Sequence, residues 1–394
     1  MIPRTLAHRP PSWQQLLASG VKDVDELLAY LKLGIEDLRG PWAPRESGIE
    51  ARAEPETAGS DLRSIRSRAE QAIRQFPVRI PWSFVHRMRS GDPEDPLLLQ
   101  VLPTAEEQSQ PSGFLDDPLG ENQALAAPGL LRKYRSRALL MVTGACAVHC
   151  RYCFRRHYPY GENGGETESF DGALQHLASD PRIDEIILSG GDPLAASDRR
   201  LRELVQRLGA IPSLQRLRIH TRLPVVLPER IGDDLMSWLT ASRLRPVMVI
   251  HANHARELSP EVGDAMARLR AAGVTVLNQS VLLAKINDSV AALEALSLRL
   301  FDLGVMPYYL HLLDRVQGAA HFEVAEDRAR RLMQQLSTRL PGYLLPRLVR
   351  EEKGRSAKTP IPWRPAESPL PAPREVASEL PTEVSQSGAR ERST

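Results

Sequence analysis

The chain has 394 residues, 42% hydrophobic and 25% charged, with a formal net charge of +2. That length can bury a full core, and the balance is ordinary for a globular protein; the near-neutral charge gives no case for nucleic-acid binding. No apolar run approaches the ~20 residues of a membrane span, and Met1-Ile-Pro-Arg-Thr-Leu-Ala-His lacks an apolar signal core, so a cytoplasmic protein with no membrane partner is expected.

Residues 11–40 place Trp13, Leu16, Leu17, Val24, Leu27, Leu28 and Leu31 at helical spacing, with Ser12 and Asp23 as caps of two short helices. From 40 to 60 the chain is rich in Pro, Glu, Ala and Arg without periodicity, which predicts a mobile connection. A helix over about 62–75 follows, and the prolines of Phe76-Pro-Val-Arg-Ile-Pro-Trp interrupt it. Asp117-Pro-Leu-Gly-Glu121 reads either as a short motif ahead of the core or as a surface turn. Together, 1–131 is expected to be an N-terminal helical extension.

From Ala138 short apolar runs alternate with amphipathic stretches. Strands are predicted at Ala138–Val142, Glu185–Ser189, Arg216–His220, Pro246–His251, Thr275–Gln279 and Met306–His311. Helices are predicted at Ser169–Leu177, Asp198–Leu208, Pro228–Thr240, Pro260–Ala271 and Ser289–Leu303, with a last one over Glu323–Arg339. Strand–helix alternation with strands apolar on both faces predicts a parallel sheet. The fold class is α/β, a partial (βα)6 TIM-like barrel over 132–346. In a barrel the chemistry sits in loops at the carboxyl ends of strands. Residues 347–362 form a separate segment, and the Pro-, Glu- and Ser-rich 363–394 is expected to be a disordered tail.

Cys146-Ala-Val-His-Cys150-Arg-Tyr-Cys153 directly follows the first predicted strand and holds the chain's 3 cysteines. An odd, clustered set fits a reducing compartment rather than a disulfide framework. Thiolates are soft ligands suited to zinc, copper(I) or iron–sulfur clusters. Three of them can hold three irons of a four-iron cluster and leave the fourth open. The alternative is a zinc site completed by His149 or His157.

This spacing resembles the radical S-adenosylmethionine (SAM) signature. The longer run from Arg137 to Tyr158 is similar to the lysine 2,3-aminomutase family, in particular to the branch that supplies β-lysine for elongation factor P. The resemblance implies a [4Fe-4S] cluster on Cys146, Cys150 and Cys153, with SAM on its open iron. It also implies pyridoxal phosphate (PLP) and an electron donor such as flavodoxin or ferredoxin. Ser189-Gly190-Gly191-Asp192, at the end of the second strand, matches the family's SAM motif. His251, in His251-Ala-Asn-His254, and Gln279 are further SAM candidates. Lys358, followed by Thr-Pro, matches the lysine that carries PLP. Glu351-Glu-Lys-Gly-Arg-Ser-Ala stands where the aminomutases have a glycine run, which makes Lys353 a competitor. Lys133 and Arg137 are implied for the PLP phosphate, and Tyr134 between them for PLP.

For the substrate, the resemblance implies that Arg155 pairs with the carboxylate of L-lysine. Asp288 and Glu351 would bind its far ammonium, Glu351 standing where the family has a shorter aspartate. The implied product is β-lysine, the R enantiomer, for modification of elongation factor P. Three alternatives stand beside it: an aminomutase for another amino acid such as glutamate, a radical SAM enzyme without PLP, and a zinc-binding protein that is not an enzyme.

Overall fold

Alternating apolar strands and amphipathic helices wind into a single ten-stranded sheet whose strands pair in sequence order. The structure is a computed structural model that describes residues 11–34, 62–162 and 169–363. The expected mobile connection at 40–60 and the expected tail beyond Trp363 lie outside the described residues.

The strands are β1 (Leu125–Ala127), β2 (Leu130–Leu131), β3 (Arg137–Thr143), β4 (Glu185–Gly190), β5 (Arg216–Thr221), β6 (Arg245–His251), β7 (Thr275–Val281), β8 (Met306–His311), β9 (Arg347–Arg350) and β10 (Thr359–Pro360). Neighbours from β3 to β9 are parallel. Antiparallel β1 and β2 finish one edge and β10 the other. The six predicted strands are β3 to β8. The four that the sequence did not reveal are only two to four residues long, too short to show a period of two.

The helices follow from their spacing. In Asp198–Gly209, Leu201, Leu204, Val205 and Leu208 are buried on one face, and the Ser197 hydroxyl caps the start by accepting from Arg200 N. The expected helix over Pro228–Thr240 is two pieces: a 3-10 turn at Pro228–Arg230 and a helix at Asp233–Thr240. Gly232 breaks it by taking an extended backbone, ψ 179°, at the second start.

Before the barrel, Ser12 forms a capping box with Gln15 and Asp23 caps Val24–Leu31. Leu17, Leu27 and Leu31 share one core cluster with Leu140, Leu188 and Leu217 of the sheet. The hydrophobic core therefore runs across the 131/132 boundary. The two ends of the parallel stretch are linked by a side-chain bond. Tyr134 Oη, just before β3, donates to Glu351 Oε1, just after β9, at 3.0 Å.

Candidate active site

A cavity of about 250 Å³ lies within the barrel and reaches the carboxyl ends of its strands. The three cysteines, Ser189, Gly190, Gly191, Asp192, His251, Gln279, Lys133, Tyr134, Arg137, Arg155, Glu351 and Lys358 all line it, and Asp288 does not.

The cysteine loop forms one end. It is held from the N-terminal region: His149 N donates to Arg79 O at 3.0 Å and Arg151 N to Gln100 O at 2.9 Å. Arg151 is fully buried, and both it and Arg156 pair with Glu107 at 2.5 Å. The three cysteines are unbonded thiols that line the cavity. Burial and the neighbouring sulfurs push the Cys146 thiol well up, and Cys153 to about 11. Three thiolates here need a cation to hold them ionised, which suits an iron–sulfur cluster. Among the described residues, no three His, Cys, Asp or Glu side chains gather closely enough for a single metal ion. His149, offered for zinc, instead bonds Pro77 O through Nδ1 at 2.7 Å, and His157 Nε2 lies 3.2 Å from Gln317 O.

The Gly-Gly pair serves the protein's own packing. Gly190 has φ +131°, and a Cβ there would strike Thr143 O; a Cβ on Gly191 would lie 2.5 Å from Ala145 O. The glycines thus let β4 sit against the backbone that opens the cysteine loop. Asp192 braces the same place. Its buried carboxylate accepts from Thr221 Oγ1 at 2.7 Å, Arg222 N at 2.8 Å and Leu194 N at 3.0 Å. Gln279 Nε2 and His251 Nε2 are 2.9 Å apart on the cavity wall, and burial holds His251 down at about 3, so its imidazole is neutral. His254 does not join them; its Nδ1 accepts from Arg256 N in a short turn.

The other end carries Lys358, whose ammonium pairs with Glu351. Lys133 Nζ is 3.1 Å from Glu121 and 3.8 Å from Glu351. The Arg137 guanidinium lies over the Tyr134 ring at 3.9 Å. Lys353, the competitor, lies against Gly120 and is not in the lining. Of these two competitors, Lys358 is the one in the cavity lining.

Two of the expected substrate residues have partners within the protein. Arg155 is engaged by the protein itself: Nε and Nη2 form a two-pronged pair with Glu121 at 2.6 and 2.9 Å, and Nη1 donates to Ser189 Oγ at 2.9 Å. Glu121 was legible only as part of a turn motif. Burial works to raise its carboxyl, but Arg155 and Lys133 outweigh that and hold it at about 2. Asp288 points elsewhere. Its carboxylate pairs with Arg328 at 3.0 Å and accepts from Lys285 N at 3.0 Å, closing a turn in which Lys285 has φ 66°. The next residue, Ser289, caps Val290–Asp302.

A further acid in the cavity lining is Asp314, three residues beyond β8. Among the described residues no ion pair engages its carboxylate. Burial first, and the Glu351 charge second, push it up to about 7 against the opposing Lys358 and Lys133. Nothing in the local sequence marks it, since Leu312-Leu313-Asp314-Arg315 reads as the end of an apolar strand.

A family model described as a 4Fe-4S single cluster domain matches residues 134–215, the stretch that carries the cysteine loop and the Gly-Gly turn. Barrel, loop and match together define a radical SAM enzyme. The chain is 48% identical over 349 residues to the L-lysine 2,3-aminomutase of Escherichia coli (strain K12), covering 89% of this chain and 94% of that one. It is 49% identical over 293 residues to the L-lysine 2,3-aminomutase of Haemophilus influenzae, covering 74% and 87%. A solved structure of Streptococcus suis SuiB superposes with a TM-score of 0.40 at 12% identity, over 56% of this chain and 50% of that one. The chain belongs to the lysine 2,3-aminomutase family, and is an isomerase.

Proposed function

We propose that this enzyme converts L-lysine to β-lysine, with PLP carried on Lys358 and a [4Fe-4S] cluster held by Cys146, Cys150 and Cys153. Bound together, PLP supplies an electron sink for the substrate nitrogen, and cluster-bound SAM supplies a carbon radical able to take an unactivated hydrogen. The chain's own residues orient and neutralise. Lys133 and Arg137 offer cations for the PLP phosphate beside the Tyr134 ring. Ser189, His251 and Gln279 face the SAM side, where the neutral imidazole of His251 adds no charge.

The observation that carries the choice of substrate is Asp314. It is an acid inside the cavity without a cation of its own, near the Glu351 charge. An incoming ammonium supplies the missing charge. A carboxylate in that place, as glutamate would bring, adds a like charge to a low-dielectric pocket and is costly. Asp314 and Glu351 thus take the role first assigned to Asp288 and Glu351. The resemblance to the β-lysine-supplying branch supports the R product, its use on elongation factor P, and a cytoplasmic setting with a flavodoxin or ferredoxin donor.

The test is product analysis with lysine, ornithine and glutamate under reducing anaerobic conditions with SAM. Lysine is the preferred substrate, and Asp314→Asn lowers its turnover at least tenfold while the PLP absorbance band and iron content stay. Asp288→Asn leaves the lysine KM within about twofold. Preferred turnover of glutamate, or a larger KM effect at Asp288 than at Asp314, overturns the assignment.

A further inference from the structure

We propose that Arg222 is a positioning residue for the iron–sulfur cluster: its guanidinium hydrogen-bonds the Cys150 sulfur and holds the cluster's reduction potential above the value it would have without that charge. The inference rests on the reading of the three cysteines as cluster ligands.

Arg222 is the residue after β5, and it is only 5% exposed. Nη1 lies 2.7 Å from Cys150 Sγ. Nη2 donates to Gln100 Oε1 at 2.6 Å and to Glu257 Oε2 at 2.9 Å. The backbone at this point is pinned by Asp192, which accepts from Arg222 N and Leu223 N at 2.8 and 3.1 Å. The rings of Phe84 and Tyr152 flank the guanidinium at 5.4 and 5.7 Å. Glu257 is itself fixed, accepting from Asn253 N at 2.8 Å and from Gln100 Nε2 at 3.1 Å.

The result is an oriented ion pair, with the cation toward the sulfur and the carboxylate held away by other donors. An unpaired buried guanidinium would be costly, and Glu257 removes that cost. Nη1 is left to direct its hydrogen bond at the thiolate. Reduction adds negative charge to a cluster, so positive charge and hydrogen bonds at its sulfurs favour the reduced form and raise the potential. Gln100, Glu257 and Asp192 come from three distant parts of the chain, and all of them set where this one charge points.

The experiment compares the full-length chain with Arg222→Gln and Arg222→Lys, each reconstituted anaerobically with iron and sulfide. Iron is counted, and the midpoint potential is read by redox titration followed by electron paramagnetic resonance, without SAM. Arg222→Gln is expected to keep about four irons per chain and to shift the midpoint to more negative values, with Arg222→Lys between it and the unaltered chain. An unchanged midpoint in a fully loaded Arg222→Gln protein overturns the proposal. Loss of iron from both variants also overturns it, because Arg222 would then be a structural anchor and not a tuning group. Absence of a cluster from the unaltered chain would instead overturn the reading of the cysteines, and the role of Arg222 with it.

Discussion

Lys358 and Glu351 form an ion pair inside the cavity, across the turn between β9 and β10. The same carboxylate accepts from Tyr134 Oη at 3.0 Å and lies 3.8 Å from Lys133. Burial works to raise Glu351, but the Lys358 and Lys133 charges and the Tyr134 hydroxyl outweigh it and hold the carboxyl below its ordinary value. Glu351 is therefore ionised at neutral pH and is shared between the proposed PLP lysine and the substrate space. Glu351→Gln is expected to raise the KM for lysine tenfold or more with the PLP band retained. Glu351→Asp, one methylene shorter, falls between. Steady-state kinetics with absorbance of the bound PLP checks this, and an unchanged KM removes Glu351 from the substrate site.

Asp314 gives a pH signature. A carboxyl held at about 7 binds its proton more tightly in the folded state than in the unfolded chain, where aspartates titrate near ~3.9. Its contribution to stability is full below ~4 and is lost as pH rises toward about 7. Lysine binding has the opposite sign, because an ammonium needs the ionised form. The KM for lysine should fall as pH rises toward 7, by up to about tenfold per unit for a single proton. Asp314→Asn should flatten that limb. A KM profile that keeps its slope in the variant places the titration elsewhere.

Glu107 neutralises two buried arginines at once. Burial opposes its charge, yet Arg151 and Arg156 outweigh burial and hold the carboxyl low. Glu107→Ala leaves both guanidinium groups without their carboxylate and should cost ~3–5 kcal/mol. Arg151 lies between Cys150 and Tyr152 in the chain, so cluster loading should fall as well. Denaturant unfolding and iron content measure the two effects; a loss under ~1 kcal/mol would mean the pair acts like a surface one.

Gly190→Ala should disrupt the cysteine loop without touching a cysteine. Its Cβ would strike Thr143 O, and φ +131° is a conformation that L side chains rarely adopt. Iron content should drop severalfold while circular dichroism retains most of the helix and strand signal. Full iron loading in the variant would show that β4 can move away from the loop.

The barrel was legible because its signals are local. Each of β3 to β8 is a run of at least six residues between helices with a clear apolar face, and a parallel sheet follows from that alternation. The cysteines were legible because one loop carries all three. Gly190 and Gly191 were found as a motif, but their physical reason, a close approach to Thr143 and Ala145, involves a neighbouring strand that no local pattern names.

By itself the sequence determined six parallel strands alternating with helices, the place of the cysteine loop after the first of them, and the spacing of Lys358 from Glu351. Only the tertiary structure decided which charges meet. It turned Asp288 out to Arg328, brought Asp314 into the cavity, filled the fork of Arg155 with Glu121, and aimed Arg222 at Cys150. The physical reason is that helix and strand periodicity is a property of neighbouring residues. The balance of charge inside a low-dielectric cavity depends on groups far apart in the chain that the closing sheet brings within a few ångströms.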